Sequence, residues 1–383
     1  MNLSPYQWAD PAWLAPPWVA PSRRRGLVSQ MNWPQSRRLW DLAGLVPSLD
    51  LRFADTQGLR DWVTGQNLVT FTRSTTATYV GRDGNLQTAA VNEPRFQYDP
   101  ITCRCLGLLI EEQRTNILLN SSVLSTQDVA VTATTYTLSF TGTGTITLTG
   151  SSTAGPLVGT GDGENNRVSL TFTPTAGTLT LTVSGNVVNA QLEAGVMKTS
   201  YIPTTSTQVT RAVDSASLLN DSFSSWFNYG EFSLYAEFVL TFALTSGSAN
   251  CCIWSFGGGV PRIYLVIGNT VGFRTMTCQL YDNPNNINFN YLSEYGNSGN
   301  YPLNQTIKVA MSSNTSSVRI TVKGLQPTTY NPSVGERINL SSIQRQSRIG
   351  NRGETNNPFN GYISRLTYWP RQLDNRTMQQ LTR

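Results

Sequence analysis

Histidine is absent from all 383 residues. That removes Ser–His–Asp and Cys–His nucleophilic sites, imidazole zinc ligands and the usual general base near neutral pH. Charge is also scarce. Asp, Glu, Lys and Arg together make up 13% of the chain, against roughly 25% in an ordinary globular domain. Lysine is confined to Lys198, Lys308 and Lys323, so arginine carries nearly all of the positive charge behind the formal net value of +5. Outside the leading segment these arginines are scattered, which argues against a nucleic-acid surface. Arginine in place of lysine suits fixed, hydrogen-bonded contacts.

The 5 cysteines are Cys103, Cys105, Cys251, Cys252 and Cys278. An odd number without metal-ligand spacing argues against a disulfide framework or a zinc ribbon and fits synthesis in a reducing cytosol. Cys103 and Cys105 are expected on one face of a strand, as small apolar side chains. No apolar run approaches the length of a membrane span. The early apolar residues are broken by proline and lack the cationic start of a secretory leader. The glycines of Gly159-Thr160-Gly161-Asp162-Gly163 precede no helix, so they do not form a phosphate cradle. Their oxygens could face Ca²⁺, but the full loop spacing for it is missing, and a plain surface loop is expected. No cofactor is predicted.

What the chain does have is concentrated at its start. Met1 to Pro47 carries Trp8, Trp13, Trp18, Trp33 and Trp40, interleaved with Pro5, Pro11, Pro16, Pro17, Pro21 and Pro34. Proline fixes φ and removes a backbone donor, so an extended arm with polyproline-like pieces is expected. Indoles on such an arm cannot bury themselves against their own segment. They are read as anchors that dock into partner subunits.

Beyond the arm, Thr, Ser, Asn and Gly dominate the polar positions, which suits β-structure. Leu49 to Ala54 alternates like a half-buried strand, and Gly81-Arg82-Asp83-Gly84 marks a hairpin turn. From Ile117 to Ala212 short Thr-rich strands are punctuated by turns, as in a sandwich or jelly roll. In Thr178 to Ser184 the strict alternation turns Leu179, Leu181 and Val183 toward one core. A second body begins near Ser215, with a strong strand at Phe232 to Leu240. It closes with a short helix from Asn375 capped by Asp374. The expected class is all-β. An extended arm (1–47) leads into two β-sandwich or jelly-roll domains, 48–214 and 215–383.

Glycan binding needs aromatic platforms beside amides and carboxylates. Tyr281, Asp282, Asn283, Asn285, Tyr291 and Tyr295 supply those types in loops of the second body, and are the candidate glycan-binding residues. Trp226, Trp254 and Trp369 are read as core. Catalysis is not expected. Glycoside hydrolysis needs two carboxylates at a defined separation, one with a raised pKa. Glu111 and Glu112 are adjacent, so on a strand they point to opposite faces. Glu112 shares a face with Arg114 and is expected to pair with it.

Two resemblances rest on these residues. The segments FTRSTTATYVGRDGNLQTAAVNEPRFQYDP, GLLIEEQRTNILLNS and QLEAGVMKTSYIPTTSTQVTRAVD, within Leu49 to Asp214, occur in the order of a module common in bacteriophage fibres and spikes. That module's enclosed β domain is similar to carbohydrate-binding jelly rolls. Cys103-Arg104-Cys105 departs from it where a Gly or small polar turn would follow Asp99-Pro100. The second resemblance covers Phe223 to Arg383: FSLYAEF, IKVAMSSNTSSVRITVKG and FNGYISRLTYWPRQLDNRTMQQL resemble the laminin-G/concanavalin-like lectin sandwich. Together they imply a non-enzymatic virion protein, made in the host cytoplasm. The arm would anchor it to other virion proteins, and its domains would face a host-surface glycan. Homotrimeric assembly is implied by the fibre resemblance; a head fibre or decoration protein, and a glycan depolymerase, are the alternatives. Neither nucleic-acid binding nor membrane insertion is expected.

Overall fold

The computed structural model describes residues 36–241, 251–258, 262–270, 273–281, 286–291, 303–331, 341, 343–351 and 359–383. The chain is mostly β, as the alternating patterns predict. Two antiparallel sheets form a large sandwich. One runs Thr328–Tyr330, Val318–Val322, Thr306–Ser313, Phe232–Leu240, Gly361–Trp369, Cys105–Ile110, Phe96–Tyr98, with Leu49–Leu51 also pairing to Gly361–Trp369. The other runs Thr70–Thr72, Ser215–Leu219, Gln346–Ile349, Cys251–Phe256, Arg262–Thr270, Phe273–Tyr281, Asn286–Tyr291. One continuous apolar core joins their facing sides, including Leu108, Ile110, Leu234, Phe238, Trp254, Leu265, Val309 and Ile363.

A smaller sandwich is inserted into this one. Its four-stranded sheet runs Leu157–Val158, Thr145–Gly150, Gly177–Ser184, Gln127–Val131, and its three-stranded sheet runs Val168–Phe172, Tyr136–Thr141, Val188–Ala194. Leu179 and Leu181 are fully buried in its separate core, and Val183 packs against that core at its edge. The chain enters and leaves the insert through one antiparallel pair, Arg114–Asn116 with Val209–Arg211.

This connectivity corrects the expected boundary at 214/215. Leu49–Leu51, Thr70–Thr72 and Cys105–Ile110 hydrogen-bond with strands from Ser215 onward, and Phe96–Tyr98 joins the same sheet through Cys105–Ile110, so all four belong to the large sandwich. A pattern of alternation shows which residues face a core but not which core they share. Gly107 permits one of these pairings. Its φ is +129, and a Cβ there would collide with the Ile363 carbonyl of the neighbouring strand.

The expected arm is also shorter than proposed. Ser36–Ala43 is a helix, and Leu39 and Trp40 pack beside Trp369, Leu373, Met378 and Leu381. The strand expected over Leu49 to Ala54 stops at Leu51, and Phe53–Thr56 turns into helix with Phe53 buried. Other expectations hold. Ala77–Val80 and Leu86–Ala89 form the hairpin around Gly81 to Gly84. Asp374 Oδ1 accepts the Thr377 amide at 2.8 Å and caps the helix Asn375–Thr382. Trp226, Trp254 and Trp369 are core residues, and each indole N–H has an acceptor: Ser222 O, Ser347 Oγ and Leu45 O.

Candidate functional site

The junction between the two sandwiches is built from charge. Asp214 is wholly buried, and its Oδ1 accepts from Arg73 Nη1 at 3.1 Å. Its Oδ2 accepts from Arg95 Nη2 and from the Glu111 amide, the latter at 2.9 Å. Glu111 follows the strand Cys105–Ile110 directly. Its Oε1 accepts the Ser200 amide at 2.7 Å, and its Oε2 accepts the Ser200 hydroxyl at 2.7 Å. Arg95 and Arg211 pair with the same Oε2 at 2.8 and 2.9 Å. Arg73, Arg95 and Arg211 are among the largest fully buried side chains of the described residues. A buried charge is tolerated only when paired and hydrogen-bonded, and here each guanidinium also meets carbonyls: Thr75 and Ala90 for Arg73, Thr78 for Arg95, Glu112 for Arg211.

Burial alone would push the Glu111 carboxyl up. Arg211 and Arg95, with the two Ser200 hydrogen bonds, outweigh it and hold the group down at about 2. The neck of the insert continues the pattern. Asn116 is buried with all its amide capacity used: Nδ2 donates to Ala190 O and Ile202 O, and Oδ1 accepts from the amides of Leu118 and Leu192. Glu193, also buried, accepts from Gln191 Nε2 and from the amide and hydroxyl of Thr199. Glu112 pairs with Arg114 at the edge, as expected, although the strand begins only at Arg114.

Above this network lies a cleft of about 390 Å³, lined from both sandwiches. Tyr79, Gln97 and Tyr98 come from the hairpin side, Asn165, Arg167 and Lys198 from the insert, and Asn304, Asn360 and Tyr362 from the large sandwich. Glu111 forms part of its floor. Asp99 sits at the lip, where the Thr102 amide first, then the Thr102 hydroxyl and the Ile101 amide, lower its carboxyl below the usual range despite partial desolvation. Arg167 donates to Thr199 O and Ser139 Oγ and lies 3.7 Å from Glu164. Burial raises the Tyr362 phenol, and the charges of Glu111 and Glu164 add to the rise.

Among the described residues, none of the candidates from the sequence lines this cleft. Trp8, Trp13, Trp18 and Trp33 lie outside the described residues, as do Asp282, Asn283, Asn285 and Tyr295. Tyr281 and Tyr291 fall at strand ends of the second sheet, in Phe273–Tyr281 and Asn286–Tyr291. Trp40 corrects the docking assignment for that residue. Its Nε1 donates to Asp50 Oδ2 at 3.0 Å, and the Arg52 guanidinium covers its ring at 5.3 Å. Asp50 is the reason: this buried carboxylate also binds Arg52, Arg365 and Thr367, and the indole completes its shell. Cys103 is exposed in a turn with φ +54, and only Cys105 enters the strand, so the two thiols do not share a strand face. The loop of Gly159 to Asn166 closes on itself, with Asn166 Nδ2 donating to Asp162 O at 2.8 Å.

Sequence reasoning missed the network itself. A signal was present, since the Arg-over-Lys bias suits fixed, hydrogen-bonded contacts. Periodicity does not reveal which arginines meet which carboxylates.

No family model matches the sequence, and no curated protein matches it. Among solved structures, this chain is similar to the carbohydrate-binding module of the Ruminococcus gnavus intramolecular trans-sialidase bound to α2,3-sialyllactose, at 16% identity, over 40% of this chain and 83% of that one, with a TM-score of 0.33. It is similar to domain 4 of the extracellular arabinanase AbnA of Geobacillus stearothermophilus in complex with arabinotriose, at 12% identity, over 50% and 84%, with a TM-score of 0.34. It is also similar to the leech intramolecular trans-sialidase, at 15% identity, over 40% and 23%, with a TM-score of 0.32.

Proposed function

We propose that the chain is a non-enzymatic structural protein of a bacteriophage virion, a fibre or spike that presents its β domains for host-surface or glycan attachment. One observation carries the reading. The three segments that resemble the phage module supply Arg73, Arg95, Glu111, Ser200, Arg211 and Asp214, and these interlock in a single buried network. The resemblance therefore follows a physical unit, a clamp that sets one sandwich on the other. Loops and clefts carried on such a rigid scaffold are suited to recognition.

Binding is favoured over cleavage by the cleft's carboxylates. A general acid in glycoside hydrolysis needs a raised pKa. Glu111 and Asp99 are both held low, and Glu111 is tied to two arginines. Incubation with host capsule or lipopolysaccharide is expected to release no oligosaccharide; release would move the assignment to a depolymerase.

In this reading the arm holds other virion proteins through Trp8, Trp13, Trp18 and Trp33, the chain assembles as a homotrimer, and the mature location is the virion. Because residues from Ser36 onward fold onto the body, the test is deletion of residues 1–35. The truncated protein is expected to keep its folded domains and to be missing from purified particles. Normal incorporation would refute anchoring.

A further inference from the structure

We propose that the cleft between the two sandwiches is a saccharide site that takes the uncharged end of a glycan, a neutral mono- or disaccharide unit, against Tyr98 and Tyr362. This rests on the glycan-attachment reading and gives it a location and a ligand class. The cleft's volume of about 390 Å³ falls in the range of small-ligand pockets, roughly 300–1,000 Å³.

Its walls have the chemistry of sugar recognition. Tyr98 and Tyr362 are half-buried in the cleft, and neither hydroxyl has a hydrogen-bond partner among the described residues. Each offers a ring face for the C–H side of a pyranose and a phenol for its hydroxyls. Asn165 and Asn304 stand exposed at the rim, and their side-chain amides are likewise unpaired among the described residues. An amide both donates and accepts, as a sugar hydroxyl does.

The charges explain why the ligand is neutral. Glu111 is bound to Arg95 and Arg211, and Glu164 lies against Arg167. Asp99 is capped by Thr102, and Lys198 Nζ donates to Arg167 O at 2.6 Å. A carboxylated or sulfated sugar would have to compete with these partners for its counter-ion. A neutral hydroxylated ring needs no counter-ion. The buried network below fixes the walls before binding, which reduces the ordering that a ligand must impose.

The test uses the full chain on an array of neutral hexose oligosaccharides and their sialylated counterparts. Hits are then titrated calorimetrically against wild type, Tyr98→Ala and Asn165→Trp. The wild type is expected to retain neutral glycans and to show no gain from a sialyl group. Tyr98→Ala is expected to weaken binding about tenfold, the scale of one lost aromatic contact. Asn165→Trp, a change at an exposed rim position, is expected to block the opening and abolish binding while leaving the thermal transition in place. It keeps the site testable if Tyr98→Ala does not fold. If the wild type binds glycans and both folded variants bind equally well, the cleft assignment falls and glycan attachment stands. Retention of sialylated glycans alone would overturn the ligand class. If the wild type binds no glycan of either kind, the attachment reading itself fails.

Discussion

The interior of the large sandwich is held by ring against ring, whereas the junction is held by charge against charge. Inside, Trp226 meets Tyr368 edge-on at 4.9 Å, Phe223 stacks on Phe227 at 4.6 Å, and Trp254 lies 4.8 Å from Phe256. At the junction, three arginines share two carboxylates, and Ser200 closes the set. Apolar burial is non-directional and indifferent to pH. Ion pairs out of water recover little net stability, yet they are satisfied in one geometry only. The difference teaches that the sandwiches are built for stability and the junction for orientation.

Removing one member should break this comparison most visibly. Asp214→Ala leaves Arg73 buried without a carboxylate and Arg95 with Glu111 alone, and is expected to destabilise the protein by about 3–5 kcal/mol. Denaturant unfolding would measure it. A loss below about 1 kcal/mol would mean that water reaches the junction and that it is no clamp.

Acid should separate the two regions next. Glu111 sits at about 2 in the folded protein against an ordinary 4.5. Its contribution, roughly 3 kcal/mol by linkage, is fully present above pH 4.5 and is lost as pH falls from there toward 2. Stability measured along that ramp should fall in the parent and stay flatter in Glu111→Gln. Parallel curves would show that other groups control the acid limb.

Leu181→Ala probes the smaller core and is expected to cost about 2–3 kcal/mol, with no dependence on pH. If the insert unfolds before the large sandwich, hydrogen exchange will show protection lost in Thr145–Gly150 and Gly177–Ser184 while Phe232–Leu240 keeps it. The smallest effect belongs to Glu112→Gln. Its pair with Arg114 is partly solvated, and such pairs contribute under about 1 kcal/mol. A loss near that of Asp214→Ala would show that the edge of the network matters as much as its centre.

Local structure was legible in the sequence wherever one residue's neighbours decide the outcome. The Gly81 to Gly84 hairpin, the Asp374 cap, the alternation at Leu179 and Leu181 and the Glu112–Arg114 pair all follow from spacing. Partnership across long separations was not. Leu49–Leu51 reads as a strand, but nothing in its pattern says that it pairs with Gly361–Trp369. The cleft is hidden for the same reason, since Tyr98 and Tyr362 come from distant segments brought together by sheet order. Trp40 shows the opposite error. Its proline-rich neighbourhood suggested exposure, whereas one buried carboxylate, Asp50, draws it in.

The place of Gly361–Trp369 carries one more consequence. It lies in the middle of its sheet, between Phe232–Leu240 and Cys105–Ile110, and its Arg365 reaches an Asp50 that is 315 positions earlier. A ribosome adding about 5–20 residues per second delivers that strand many seconds after its neighbours. The insert, whose contacts are all nearer in sequence, can mature during translation. The host sandwich must wait, with unpaired strand edges, until the last piece arrives, and this nascent interval is when the polypeptide most needs a chaperone.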